Sequence, residues 1–384
     1  MTILLSVLLF IFLLNPGRIS AVYDPVSREN NKYGIHIIDE NDLESASALV
    51  NSSGGDWGYV TMVMPENERK EIKWNETFDR MKRLHLIPII RLATRLEGDT
   101  WKKPEADQAE IWSEFLDSLN WPVQNRYLIL FNEPNHSKEW GGELDPEGYA
   151  DILDSYSRSL KNRSDDFFIL PAGLDASANN SRQTMDETSF LAAIFNYKKE
   201  IFDAIDGWTS HSYPNPHFTG DASDRGRGTV ANFVWELNLL NKWGITRNLP
   251  VFITETGWPH NAGGDNYLYS PETISDFINE TDRTVWTDSR IAAITPFILN
   301  YQSFPFASFS WQKLNSDKFH IHFDTYRSLV KIDGKPLLYV EEPTPPAPVI
   351  KKEYLSENKG IRLSSWQKLI SLAVSPIRQI LKLI

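Results

Sequence analysis

Between Tyr33 and Asn300 the chain alternates short apolar runs with longer segments of helical periodicity, and this alternation restricts its fold more than any other feature. Eight runs read as strands: residues 33–38, 57–64, 87–93, 126–132, 167–173, 205–213, 250–255 and 294–300. Most are apolar at consecutive positions, as in parallel strands covered on both faces. Helix-patterned segments fill the gaps. Their start signals include Asn75, Asp145 before Pro146 and Ser270 before Pro271, because an oxygen-bearing cap and a first-turn proline suit a helix N-terminus. Eight strand-helix units in series predict the α/β class and, within it, a (β/α)8 TIM barrel over residues 22–341.

The flanks differ from this repeat. Residues 1–21 hold an apolar run, 3–14, that is short for a bilayer span and breaks at Pro16 and Gly17. They read as a signal peptide, while the lack of Lys or Arg ahead of the apolar run keeps an N-terminal anchor open. Residues 342–350 are a Pro-rich linker. The tail, 351–384, carries seven Lys or Arg against two Glu, so it is +5 where the remainder of the −12 chain is −17. Trp366, Leu369, Ile370, Ala373 and Ile377 recur there at helical spacing. That makes an amphipathic C-terminal helix, lying on an anionic membrane surface or docking on the barrel.

The chain has no cysteine, which excludes thiol catalysis, disulfides and cysteine-ligated metals. A core of this size can stand without them. The acidic balance argues against a nucleic-acid partner, whose phosphates call for Lys and Arg.

Barrel enzymes carry their chemistry at the C-terminal ends of the strands. Glu133 ends the fourth candidate strand in "LILFNEPN" and Glu255 ends the seventh in "VFITETGWP". In a closed barrel the two tips face one cavity. Two such carboxyls can cleave a glycosidic bond, one protonating the leaving oxygen while the other attacks the anomeric carbon. Singly, each has a plainer role, Glu133 as a turn cap and Glu255 as a buried ion-pair partner.

The segments "FNEPN" and "ITETGWP" resemble the two signatures of the clan A glycoside hydrolases, barrel enzymes with the acid/base in an Asn-Glu-Pro on strand four and the nucleophile on strand seven. The resemblance covers residues 30–340 and not the tail. It implies a retaining double displacement with Glu133 as acid/base and Glu255 as nucleophile. It also implies that Asn132 bonds the sugar 2-hydroxyl, that the Tyr213 hydroxyl bonds the nucleophile, and that Trp311 is a flat platform under the sugar. Trp311 lies eleven residues beyond Asn300, a departure from the usual spacing. Trp57, Trp140 and Trp258 are further platform candidates or simply core. Arg91, near the end of strand three, needs a carboxylate partner, and Glu255 is the one expected. His211 lines the sugar subsite or is satisfied internally.

No His-Glu-x-x-His, calcium-loop or Gly-x-Ser-x-Gly pattern occurs, so neither a metal nor another cofactor is expected. Asn-x-Ser/Thr triplets occur at Asn51, Asn75, Asn135, Asn162, Asn179 and Asn279. A glycan on Asn135 would obstruct the proposed acid, so that site is expected to be bare. The sequence therefore predicts an exported, secreted or surface-associated monomer acting on an oligo- or polysaccharide. A noncatalytic carbohydrate-binding barrel and a surface interaction protein are the alternatives.

Overall fold

The computed structural model describes residues 22–261, 267–303 and 305–339. The expectations for residues 1–21, the linker 342–350 and the tail 351–384 lie outside the described residues. Leu96–Glu97 pairs with Thr100–Trp101 as a separate short antiparallel hairpin. Eight strands form the parallel sheets, in chain order β1 Gly34–His36, β2 Gly58–Pro65, β3 Leu86–Ala93, β4 Arg126–Leu130, β5 Phe167–Pro171, β6 Trp208–His211, β7 Val251–Glu255 and β8 Ile291–Ile294. Every ladder between them is parallel. The ladders form a five-stranded sheet, β1-β2-β3-β4-β5, and a three-stranded sheet, β6-β7-β8. At the two seams there are single parallel bridges, Tyr33 with Ile294 and Asp175 with His211. An uninterrupted ring of eight ladders, as the sequence predicts, is therefore not observed.

Consecutive apolar residues give strands buried on both faces: every residue of β1, β4, β5, β6 and β8 is buried. One face packs inward. Tyr59, Tyr127, Phe168 and Phe252 share a cluster with Ile87, Ile89 and Leu170. Tyr127 of β4 meets Phe252 of β7 at 5.3 Å, and Tyr59 of β2 meets the same ring at 6.4 Å, so side chains of both sheets meet in one interior. Alternation then sends Val60, Met62, Ile90, Leu92 and Leu128 outward to a second cluster shared with the helices.

One helix follows each strand: α1 Leu43–Val50, α2 Glu71–Arg83, α3 Gln108–Asp117, α4 Pro146–Arg163, α5 Glu187–Lys198, α6 Asn232–Lys242, α7 Pro271–Thr284 and α8 Ile321–Ser328. Asp145 caps α4 by accepting from Gly148 N at 2.9 Å, and Ser270 caps α7 by accepting from Thr273 N at 3.2 Å. Asn75 is not a cap. It lies inside α2, and its Oδ1 accepts from Asn120 N at 2.8 Å. Strand eight also differs from expectation, ending at Ile294 where the sequence suggested 294–300. Pro296 has no N–H to give a ladder, and the chain leaves the sheet there.

Candidate active site

Glu133 reaches the cavity because the backbone turns sharply after β4. Phe131 and Glu133 adopt φ of 74° and 30°, left-handed values that cost a non-glycine residue energy and persist where surroundings enforce them. The enforcing bonds are Glu133 N to Gly173 O at 3.1 Å and His136 N to Glu133 O at 2.8 Å. Glu255 needs no such turn, being the last residue of β7. Both line one cavity of about 580 Å³. One oxygen of each carboxyl and a ring nitrogen of His211 all lie within 4.8 Å of one another.

The two carboxyls have different partners. Tyr213 donates its hydroxyl to Glu255 Oε2 at 3.0 Å, and Arg91 Nη1 donates to Glu255 Oε1 at 3.4 Å. Burial pushes the Glu255 carboxyl up, but His211, Arg91, His36 and the Tyr213 hydrogen bond together hold it below its ordinary value. Glu133 is bonded through Oε1 to His211 Nδ1 at 2.8 Å. Burial alone would lower the His211 pKa, yet Glu255 and Glu133 raise it, so the imidazole is suited to donate between them. Burial, Glu255 and Glu133 likewise push the Tyr213 hydroxyl well up, which keeps it a donor.

Asn132 bridges rather than points freely. Its Oδ1 accepts from Arg91 Nη1, and its Nδ2 donates to Glu139 Oε2 at 3.2 Å. Only the second Nδ2 hydrogen remains for a substrate hydroxyl. Asn135 is fully buried, its Nδ2 donating to Asp175 O at 3.0 Å and Met185 O at 3.1 Å, so no glycan fits on it in the folded chain.

The tryptophans lie elsewhere. Trp311 does not line the cavity; it is buried edge-on against His322 and Tyr326, at 5.1 and 5.2 Å. Strand eight ends earlier than expected, which carries Trp311 still further from a strand tip. Trp258 is buried, donating Nε1 to Gly220 O at 2.9 Å. Trp140 is core, and Trp57 stacks on His85. Trp101 is the tryptophan with a partly exposed ring along the cavity, since Trp74 is buried.

Among the cavity residues that escaped the sequence reading are His36, His136, Glu139 and Asp175. His36 ends β1, and attention to polar strand tips could have found it. It is buried, with neither ring nitrogen bonded within the described residues, and burial pushes its pKa down to about 3. His136 and Asp175 pair at 2.9 Å. Burial works against both charges, yet the shared bond leaves Asp175 at about 2 and the His136 pKa raised. Glu139 sits in a short turn with no strand-end signal at all.

No protein-family model matches the chain, and no curated protein matches it in sequence. Solved structures do. A monomeric beta-xylosidase from Caulobacter crescentus CB15 is similar at a TM-score of 0.54 and 13% identity, over 78% of this chain and 69% of that one. A glucosidase from Croceicoccus marinus gives 0.56 at 9% identity, over 80% and 68%. A fungal beta-1,4-galactanase gives 0.50 at 13%, over 77% and 99%. The fold is shared with these glycosidases. At these identities the likeness concerns the fold, and folds of this kind host many chemistries.

Proposed function

We propose that the chain is a glycoside hydrolase cleaving β-linked O-glycosidic bonds with retention, on a closed (β/α)8 barrel, with Glu133 as acid/base and Glu255 as nucleophile. The observation that carries this reading is the approach of a Glu133 oxygen to a Glu255 oxygen within 4.8 Å in one cavity. Retaining sites hold their carboxyls about 5–5.5 Å apart, whereas inverting sites leave about 6.5–9.5 Å for a water.

Glu255, ionised beside Arg91 and Tyr213, attacks the anomeric carbon while Glu133 gives its proton to the leaving oxygen. The glycosidic bond breaks and a glycosyl ester forms on Glu255. Water then attacks the same carbon, yields its proton to Glu133 and expels the Glu255 carboxylate, so both groups return to their starting state. His211 donating to Glu133 Oε1 leaves Oε2 to carry the transferable proton. Asn132 offers its remaining hydrogen to the 2-hydroxyl. No metal or other cofactor enters these steps. The reading includes export, a monomer, and a neutral oligo- or polysaccharide rather than nucleic acid.

The test is a panel of β-glucans, xylan, mannan and aryl glycosides, given to the intact chain and to Glu133→Ala and Glu255→Ala. At least one substrate should turn over with its anomeric configuration kept, as followed by NMR. Either substitution should slow it about 10²–10⁴-fold. Binding without turnover across the panel would replace the hydrolase by a carbohydrate-binding barrel at the cell surface.

A further inference from the structure

The chemistry of the cavity wall divides by sheet. The segments that follow the strands of the five-stranded sheet contribute its polar groups, among them Glu68, Lys73 of α2, His136, Glu139 and Asp175. Apart from Glu255, every lining residue contributed by the three-stranded sheet and its loops is aromatic: Tyr213, Phe218, Phe297, Tyr301, Phe306 and Phe309. These rings interlock edge to face. Tyr213 meets Phe218 at 4.9 Å and 78°, Phe218 meets Phe309 at 5.3 Å and 87°, and Phe306 meets Phe297 at 5.3 Å and 87°.

Perpendicular rings make a ridged surface, unlike the single flat face that suits a pyranose. The wall is also poor in partners for sugar hydroxyls, since it has two phenols and the Tyr213 phenol is bonded to Glu255. Phe218 and Phe306 are nevertheless 37% and 41% exposed, and Ile38 at 50% joins them on the cavity lining. Uncovered apolar surface continuous with a polar site marks the seat of an apolar ligand group.

The hydrolase reading gives the two sides an order relative to the scissile bond. Asn132, the 2-hydroxyl partner, bonds Glu139 on the polar side. Glu133, the proton donor to the leaving group, bonds His211, and Tyr213 and Phe218 follow His211 in the chain. We propose that the aromatic wall binds an apolar aglycone, so that a glycoside of an alkyl or aryl alcohol replaces the oligo- or polysaccharide of the proposed function as the substrate class. Naming this group the leaving group rests on the hydrolase reading; its binding to the wall does not.

The intact chain is titrated calorimetrically with methyl, phenyl and n-octyl β-D-glucopyranoside below micelle-forming concentrations. The octyl glycoside should bind at least tenfold tighter than the methyl, with a negative heat-capacity change. The double variant Phe218→Ala with Phe306→Ala should bring it down to the methyl value and leave the methyl glycoside unchanged. Phe306→Ala alone, at an exposed ring, should move the same way and stands in if the double variant loses its fold. A gain with octyl alone assigns an alkyl chain, and an equal gain with phenyl assigns an aryl group. Equal affinity for all three, no measurable octyl binding, or an octyl affinity indifferent to the substitutions overturns the proposal. A chain that binds the octyl glycoside yet hydrolyses no substrate keeps the apolar site and loses only the hydrolase reading.

Discussion

Gly173 shows how one missing side chain positions two others. A Cβ there would stand 2.3 Å from Cδ2 and 2.5 Å from Nε2 of His211, while the Gly173 carbonyl accepts from Glu133 N. Gly173→Ala should therefore push the imidazole off Glu133, lowering kcat about tenfold or more and stability by about 1–3 kcal/mol. Steady-state kinetics beside urea unfolding checks both, and wild-type turnover would mean that the His211 bond has no part in the rate. Glu139 makes a different prediction. Burial first, then Glu133 and Glu255, push its carboxyl to about 7 against Arg91 and Asn132. The unfolded chain gives up that proton nearer 4.5, so stability falls as pH rises from about 4.5 to 7, by up to about 3 kcal/mol. Glu139→Gln should flatten that fall, read from urea unfolding at pH 5 and 8. The proposed catalytic pair was legible in the sequence because each carboxylate ends an apolar run. Glu139 was not, since nothing in a sequence records that a residue seven positions after Asn132 folds back onto it.

At the scale of elements, strand tips carry the proposed chemistry and the loops beyond them carry the surprises. Strands β2 to β7 lie close to where apolar runs suggest, because burial on both faces demands such runs. Strand β8 does not, because Pro296 ends a ladder inside an otherwise apolar stretch, and the platform expected from Trp311 moves into packing as a result. The loop after β7 and the start of α8 meet through three histidines. His260 and His320 lie 4.2 Å apart between ring centroids, and His320 and His322 lie 5.6 Å apart, with Glu272 and Lys313 flanking them. Burial lowers all three pKa values, His320 to about 4. The unfolded chain takes up these protons first as pH drops through 6.5, so stability is lost between there and the folded values. His320→Gln should recover about 2 kcal/mol of the loss at pH 5 while changing little at pH 7, again by urea unfolding. An equal loss in the variant would exonerate this cluster.

For the whole molecule, charge is distributed unevenly along the chain, −17 before residue 351 and +5 from residue 351 onward. We propose that the basic residues 351–384 bind anionic membrane surfaces. The intact chain should then sediment with anionic vesicles, and a chain lacking residues 351–384 should not; undiminished sedimentation would remove the tail from that role. The sequence by itself determined the eight parallel strands and their alternation with helices, through apolar periodicity and caps, and it marked Glu133 and Glu255 because burial rules fix what precedes a strand tip. Tertiary structure alone decided which tips converge, that Asn132 is shared between Arg91 and Glu139, and that aromatic side chains from two separate loops form one wall. Those are contacts between residues far apart in the chain, set by packing geometry and local dielectric, and no local pattern encodes them.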